Sequence, residues 1–147
     1  MKVVGISAKD IDFVLSLEKE RIGSSLGREE LLQAVQENGY ICLVAREDQE
    51  NESHPCGYIL ASISSDEAEI YSVAVLSSVE GRGVGRLLVE YLLNRLRELG
   101  VKRVLLEVEV GNGRAYNLYR HAGFTEYRRR NDYYGDGGEA ICMERRI

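Results

Sequence analysis

The spacing of apolar and polar positions changes several times along the chain, and each change marks a predicted element. Apolar residues at spacings of three and four, typical of one face of a helix, alternate with short runs typical of strands. Glycine, asparagine and serine occupy most of the junctions. In chain order the pattern predicts a strand at 1–6, a helix capped by Asp10, a helix at 28–36, strands at 40–45, 57–63 and 69–75, a long helix at 84–99, a strand at 101–110, a helix at 114–121, and strands at 124–134 and 139–145.

This order of elements predicts a mixed α/β sheet flanked by helices. The chain has 147 residues, 44% of them hydrophobic, which is enough for one buried core without disulfides. We therefore expect one domain over residues 1–147, with the polar stretch 47–55 forming a turn. The long helix is expected to bury the face formed by Val84, Leu87, Leu88, Tyr91, Leu92, Leu96 and Leu99.

The overall charge argues against a general nucleic-acid-binding protein. The formal net charge is -5 and the sequence pI is near 5.2, whereas binding by counterion release needs a surplus of Lys and Arg on one face. The basic triplet 128–130 is either a solvated strand with outward charges, which is favoured, or a patch for RNA or an acidic partner. We expect no direct nucleic-acid partner.

Cysteine and histidine are too few and too scattered to predict a metal site. Cys42, Cys56 and Cys142 are far apart and have apolar neighbours, as small buried hydrophobes do. His54 and His121 have no partner at ligand spacing. The odd number of cysteines fits a reducing compartment, and no apolar run resembles a signal peptide or a membrane span. We therefore expect no metal, no membrane partner and a cytoplasmic location.

Three glycines at alternate positions, Gly81, Gly83 and Gly85, lie between a predicted strand and the long helix. Without Cβ atoms, several backbone N–H groups can converge there on one anion, and the helix start adds about half a positive charge. Arg82 and Arg86 flank the turn. The predicted ligand is a phosphate or pyrophosphate, with close backbone approach at Gly83. The alternative is that the glycines only make the turn.

The turn fits neither of two common phosphate-binding motifs. A dinucleotide-binding fingerprint requires glycine in place of Arg86 and normally occupies the first strand–helix turn of the chain. A P-loop requires Lys followed by Ser or Thr where this chain has Arg86 and Leu87. Neither kind of nucleotide site is therefore predicted.

The segment from Val73-Ala74-Val75 through residues 81–86 into the amphipathic helix resembles the coenzyme A pyrophosphate motif of the GNAT superfamily of N-acetyltransferases, Arg/Gln-x-x-Gly-x-Gly/Ala. The resemblance implies a GNAT fold, acetyl-CoA as cofactor, and backbone contacts from the strand to the pantetheine arm. Glu80 stands where the family has Arg or Gln, and it would repel a pyrophosphate unless it points away or pairs with Arg82 or Arg86. The implied cofactor-binding residues are Val73, Ala74, Val75, Gly81, Arg82, Gly83, Val84, Gly85, Arg86 and Asn112.

A narrower resemblance, to the RimI-like N-acetyltransferases of ribosomal proteins, extends over residues 67–143. It implies that Glu107 is the general base, that Tyr119 is the general acid near the departing thiol, and that Asn112 contacts the cofactor. An attacking amine must lose its proton and a leaving thiolate needs a donor. The Pro-Trp element of those enzymes is missing here, where residues 24–27 stand. The resemblance rests on Leu106-Glu107-Val108, Asn112, Ala115, Leu118-Tyr119, Gly123-Phe124, Tyr133-Tyr134 and the segment 139–143.

The same residues also have plain structural interpretations. Strand alternation makes Glu107 a solvent-facing residue, and Tyr119 fits a core position. Tyr133 and Tyr134 either shape an acceptor groove or are ordinary strand aromatics. Transfer of acetyl to the N-terminal α-amine of a protein or peptide is the favoured function, and acetylation of a small-molecule amine and a non-catalytic acyl-CoA-binding module stay open. We expect a monomer or homodimer.

Overall fold

The computed structural model describes residues 1–21, 27–131 and 138–147. Within them, seven strands form one mixed sheet with four helices packed on its two faces, as the sequence predicts. The strands are β1 (Lys2–Gly5), β2 (Tyr40–Gln49), β3 (Glu52–Ser64), β4 (Glu67–Val75), β5 (Arg103–Glu109), β6 (Thr125–Arg130) and β7 (Ala140–Arg146). The helices are α1 (Ile11–Arg21), α2 (Arg28–Gln36), α3 (Val84–Glu98) and α4 (Gly113–His121).

The strand order across the sheet is β1-β2-β3-β4-β5-β7-β6, and only β4 and β5 are parallel neighbours within the described ranges. Their pairing joins Glu67–Ile70 to Arg103–Leu106 and stops there. At this point β4 contains an extra residue, Tyr71, because Ile70 and Ser72 are matched to consecutive residues of β3. Such a bulge bends its strand. The remaining parts of β4 and β5 are therefore unpaired with each other and leave an opening in the sheet.

A hydrophobic core lies on each face of the sheet. On one face α3 and α4 close a large core, in which Leu88, Leu92 and Leu96 are fully buried. On the other face α1 and α2 pack on β2, β3 and β4, with Ile11 and Leu31 at the centre. Each fully buried aliphatic side chain contributes roughly 1.5–3 kcal/mol. Because α1 and α2 pack on one half of that second face, the same face of β5, β7 and β6 stays largely open.

The prediction of a long turn at 47–55 is wrong. β2 and β3 continue through this stretch and are joined by only two residues, Glu50 and Asn51, with φ of +52° and +67°. Positive φ at both positions is typical of a type I′ turn, whose twist matches that of the paired strands. Pro55 fits into β3 because the pairing register shifts beside it.

The predicted inner face of α3 is partly wrong. The residues at strict i, i+4 spacing from Val84 are buried as predicted. Tyr91 and Leu99, by contrast, are each 49% exposed, and Val89 and Leu93 are buried instead. The buried stripe therefore includes Val89 and Leu93, which follow Leu88 and Leu92, and leaves out Tyr91, which precedes Leu92. Which neighbour is buried depends on how the helix is rotated on the sheet.

Cys42, Cys56 and Cys142 have free thiols and are buried, which confirms that they pack as small hydrophobes. Burial, and secondarily the charge of Asp10, raises the pKa of Cys42 to about 12. The described ranges contain no group of three or more His, Cys, Asp or Glu side chains arranged to hold a metal ion. In the same ranges, every helix is too short or too polar to span a bilayer.

Candidate active site

The opening between β4 and β5 forms one side of a groove of about 400 Å³. Its other walls are the glycine-rich turn, the first turns of α4 and the last residue of α1. Ten of the twelve residues predicted for the site line this groove, and Arg82 and Glu107 lie outside it. The ten are Val73, Ala74, Val75, Gly81, Gly83, Val84, Gly85, Arg86, Asn112 and Tyr119.

The glycine-rich turn has the backbone geometry of an anion site. Gly81 and Gly83 both have a φ of +79°, a conformation that L side chains rarely adopt, and Gly83 is the N-cap of α3. The N–H groups of the first turn of a helix have no partner within the helix. At the start of α3 these groups, together with the helix dipole, favour a negatively charged ligand.

Gly85 brings α3 close to the neighbouring walls of the groove. A Cβ atom at this position would lie 3.4 Å from Cδ2 of Leu118 in α4 and 3.8 Å from Cγ2 of Val75 in β4. A side chain at Gly85 would therefore occupy the space between these walls. The absence of one keeps the groove open next to the anion site.

The two arginines of the turn differ in the direction of their side chains. Arg86 lines the groove and pairs with Glu90, one turn further along α3, at 3.1 Å. Arg82 pairs instead with Glu47 of β2 at 2.8 Å, and the hydrogen bond to Glu47 raises the pKa of Arg82. A contact between Arg82 and a phosphate would require this ion pair to open.

Glu80 pairs with neither of the arginines that its sequence position suggests. Its carboxylate accepts from Arg21, the last residue of α1, at 2.6 Å and from Arg114 in α4 at 2.9 Å. The hydrogen bond from Arg114 is the main reason why the pKa of Glu80 lies below its ordinary value of 4.5. The carboxylate is therefore ionised at neutral pH, and two guanidinium groups offset its charge at the edge of the groove.

The end of β4, Val73–Val75, forms the long wall of the groove. One edge of this segment pairs with residues 57–59 of β3. The other edge has lost its partner, because the register with β5 ends at Ile70. Its free N–H and C=O groups can bond an extended ligand in the way that a further strand would.

Tyr119 contributes a phenol to the groove from α4. Its ring packs edge to face on Phe124, with 5.8 Å between the ring centroids and 66° between the planes, and only 7% of the residue is exposed. Burial raises the pKa of the Tyr119 phenol above its ordinary value of 10. The hydroxyl is therefore protonated at neutral pH and available as a hydrogen-bond donor.

Glu107 lies on β5, one residue beyond the last pair with β4, and on the face of the sheet that is turned away from α3. Its carboxylate accepts from Arg130 of β6 at 2.8 Å, and 22% of its side chain is exposed. The thiol of Cys142 lies 3.9 Å from the same oxygen. Glu107 is thus half-buried and ion-paired, next to the groove rather than inside it.

Glu69 of β4 is a second carboxylate on this face. It is in register with Leu105, so that it lies on the same side of the sheet as Glu107. Desolvation, and then the charge of Glu107, raises the pKa of Glu69 above its ordinary value of 4.5. Glu69 was not among the residues predicted for the site, and the parallel register shows its proximity to Glu107.

The family model described as "Acetyltransferase (GNAT) family" matches residues 12–124. This range contains the groove with its anion site, and both Glu107 and Tyr119. The chain belongs to the GNAT family of acetyltransferases. The fold and family expected from the sequence are thereby confirmed.

Among GNAT proteins, the chain is similar to enzymes named [ribosomal protein bS18]-alanine N-acetyltransferase. The [ribosomal protein bS18]-alanine N-acetyltransferase of Escherichia coli K12 is 37% identical over 89 residues, which are 58% of this chain and 60% of that protein. The putative enzyme of the same name from Bacillus subtilis 168 is 29% identical over 136 residues, 92% of this chain and 88% of that protein. The match to the E. coli relative therefore spans less than two thirds of its length.

Solved GNAT structures superpose along nearly the whole chain. The ribosomal-protein-S18-alanine N-acetyltransferase of E. coli has a TM-score of 0.84 at 26% identity, and the match covers 99% of this chain and 93% of that one. NAA60 of Arabidopsis thaliana, solved in complex with acetyl-CoA, has a TM-score of 0.85 at 17% identity, covering 99% and 98%. The second likeness shows the shared fold.

Asn112 has a structural task in this GNAT domain besides lining the groove. Its side-chain oxygen accepts from the backbone N–H of Ala115 at 3.2 Å and caps the start of α4. An N-cap of this kind contributes about 1 kcal/mol. Asn112 therefore fixes the helix that presents Tyr119.

Several residues that line the GNAT groove were not predicted from the sequence. Arg114 and Leu118 lie one turn apart on α4 beside Tyr119, so their helical spacing was an available signal. Arg21 comes from α1, far away along the chain, and no local pattern indicates it. The two tyrosines at 133–134 lie outside the described residues.

A second depression, of about 370 Å³, lies further along α3, beside the end of α4. Arg97, His121 and Arg145 are among its lining residues, and it shares only Arg86 with the groove. It therefore offers positive charge without the strand edge and the phenol that the groove contains.

Proposed function

We propose that this chain transfers the acetyl group of acetyl-CoA to the N-terminal α-amine of a protein or peptide. The observation that carries the proposal is the groove at the β4–β5 opening, which has an anion site at the start of α3, a free strand edge and the phenol of Tyr119 within one cavity. These three features suit the diphosphate, the amide-containing arm and the thioester sulfur of coenzyme A.

In this proposal the cofactor supplies an activated acyl carbon, and the chain supplies binding and proton handling. The N–H groups at the start of α3 bind the diphosphate. The free edge of Val73–Val75 bonds the amide groups of the arm and fixes its direction. Tyr119 donates a hydrogen bond to the sulfur as charge develops there, and its raised pKa favours donation over full proton transfer.

Glu107 is the proposed base or ammonium-binding group. It lies on the open face, next to the point where β4 and β5 separate, so that an acceptor can approach from the side opposite α3. Its pair with Arg130 must be exchanged for the acceptor amine before Glu107 can act. Glu69 adds a second carboxylate to this face and favours a cationic acceptor.

The α-amine is favoured over lysine on acid–base grounds. At neutral pH an α-amine with a pKa of about 7.7–8.0 costs roughly 1–1.5 kcal/mol to deprotonate, whereas a lysine near 10.4 costs about 4.6 kcal/mol. One carboxylate copes more easily with the first. The names of the relatives suggest the N-terminal alanine of ribosomal protein bS18 as the first acceptor to examine.

Three peptides of one sequence test the proposal. The first has a free N-terminal alanine and an internal lysine, the second is blocked at its N-terminus, and the third has the lysine replaced by glutamine. We expect thiol release with the first and third peptides only, and mass spectrometry to locate the acetyl group on the α-amine. Acetylation of the blocked peptide at lysine would refute the proposed acceptor.

A non-catalytic acyl-CoA-binding module is the second candidate, because Glu107 lies outside the groove and is paired with Arg130. The same assay separates the two functions. Acetyl-CoA binding without thiol release, for any peptide or for polyamines, favours the binding module. Release with a polyamine alone favours a small-molecule acceptor.

A further inference from the structure

Glu80 joins two elements on opposite sides of the groove. It stands at the start of the glycine-rich turn, where the GNAT pattern has Arg or Gln. Arg21 at the end of α1 and Arg114 in α4 both donate to its carboxylate, at 2.6 and 2.9 Å. All three side chains line the groove. The carboxylate thus lies at the edge of the cavity in which the diphosphate is proposed to bind.

The charges of the groove show what Glu80 offsets. The residues that line it include three guanidinium groups, those of Arg21, Arg86 and Arg114, and one carboxylate, that of Glu80. With Glu80 ionised, two positive charges remain in excess among the lining residues, and one of them, Arg86, also pairs with Glu90 outside the groove. A diphosphate linkage brings two negative charges, so that it matches the excess but competes with Glu80 for the same two arginines.

We propose that Glu80 is an internal competitor of the cofactor diphosphate, which holds Arg21 and Arg114 in the free protein and releases them to the phosphates when coenzyme A binds. The proposal rests on the cofactor groove of the proposed function. Its consequence is that Glu80 weakens coenzyme A binding and speeds the release of the product, whereas Arg21 and Arg114 are diphosphate ligands. Exposure supports the exchange most clearly for Arg114, whose side chain is 70% exposed, whereas that of Arg21 is 29% exposed.

Calorimetric titration with coenzyme A tests the competition in the absence of any acceptor. Glu80→Gln removes the charge and keeps the shape, so we expect the Kd for coenzyme A to fall about three- to fivefold at low salt, the upper range for exposed charge pairs. This increase in affinity should be smaller at 0.5 M salt, because exposed charges are screened. In a protein that also carries Arg21→Gln and Arg114→Gln, we expect Glu80→Gln to increase the affinity for coenzyme A much less.

Two controls make this expectation specific. Glu98→Gln removes an exposed carboxylate that pairs with Arg95 at 3.2 Å at the far end of α3, and its Kd should equal that of the unaltered protein. Pantetheine, which lacks phosphates, should bind the Glu80→Gln variant and the unaltered protein equally. Thermal unfolding of each variant establishes that it is folded.

The outcomes distinguish this proposal from the proposed function. If the unaltered protein does not bind coenzyme A, the cofactor groove and the competition are both wrong. If it binds and Glu80→Gln leaves the Kd unchanged or raises it, only the competition is overturned. The competition is also overturned if Glu98→Gln increases the affinity for coenzyme A as much as Glu80→Gln does, or if Glu80→Gln increases the affinity for pantetheine as much as for coenzyme A. A gain confined to Glu80→Gln with coenzyme A supports the competition whichever acceptor is used.

Discussion

The two ends of the β4–β5 pair carry opposite arrangements of charge. At the closed end, where the strands are paired, Arg103 donates to two carboxylates, Glu67 at 3.1 Å and Glu144. The guanidinium of Arg103 also lies 5.4 Å from the ring centroid of Tyr127. At the open end, one carboxylate accepts from two arginines.

The difference shows how one pair of strands serves both stability and binding. At the closed end the guanidinium of Arg103 is engaged by two carboxylates and by the ring of Tyr127. At the open end the strand edge is free, the guanidinium groups outnumber the carboxylate and the N–H groups of α3 face the same space. The bulge at Tyr71 marks the boundary between the two ends.

Removal of the Tyr119 hydroxyl is expected to have the largest effect on turnover of all changes at the open end. Tyr119→Phe keeps the ring and its contact with Phe124 but removes the donor, so turnover should fall on the order of 10²-fold, the low end for acid–base groups. Stopped-flow measurement of thiol release, under conditions in which chemistry limits the rate, checks this. The Kd for acetyl-CoA and the thermal stability should barely move. Full turnover in the Phe variant would make Tyr119 a core residue only.

A side chain at Gly85 should affect the open end next most strongly. Gly85→Ala places a methyl group between the walls of the groove, and we expect the affinity for coenzyme A to fall about tenfold, or ~1.4 kcal/mol. Helix stability should not decrease, since alanine is the better helix former. Gly5→Ala in β1, where a Cβ would meet no atom within 4 Å, is the matched control. Equal Kd values for both variants would show that nothing approaches α3 closely there.

Exchange of one arginine at each end tests the comparison itself. Arg103→Gln leaves Glu67 and Glu144 without their shared cation, so it should lower the melting temperature and leave the Kd for coenzyme A unchanged. Arg114→Gln should do the reverse, with the Kd raised about three- to fivefold and little change in melting temperature. Calorimetry of unfolding and of binding measures both quantities. If Arg103→Gln weakened binding as much as Arg114→Gln, the two ends would not be distinct.

Replacement of the Glu69 carboxylate, near the boundary between the two ends, should have the smallest effect, and this effect is on the free energy of unfolding. The pKa of Glu69 is raised in the folded chain above the ordinary 4.5, mainly by desolvation, so folding disfavours its charged form. The resulting loss of stability is complete above the raised pKa and disappears as the pH falls below about 4.5. Glu69→Gln should therefore be more stable than the unaltered protein at pH 7, with a smaller difference at pH 4. Urea unfolding at both values measures this, and a difference that grows toward low pH would contradict it.

Local patterns predicted much of the open end. Glycine at alternate positions before an amphipathic helix indicated the turn, and Gly81 and Gly83 have the positive φ that such a turn requires. The local pattern between Gly113 and Gly123 indicated the short helix that carries the phenol. These features depend on residues close together in the chain, where periodicity and backbone freedom are decisive.

Pairings between distant residues were not predictable in the same way. The sequence left two alternatives for Glu80, pointing away from the ligand or pairing with Arg82 or Arg86, but its partners Arg21 and Arg114 lie 59 and 34 positions away along the chain. The two-residue turn at Glu50 and Asn51 was missed because it lacks the glycine that usually marks a type I′ turn. In each case the packing of the sheet, rather than the local sequence, decides which groups meet.

A crystal structure of the protein with coenzyme A tests the central claim most directly, because the two depressions share only Arg86. We predict the diphosphate at the N–H groups of the first turn of α3, the arm along the free edge of Val73–Val75 and the sulfur within hydrogen-bond distance of the Tyr119 hydroxyl. Coenzyme A bound instead in the depression lined by Arg97, His121 and Arg145, with the β4–β5 opening empty, would contradict the account.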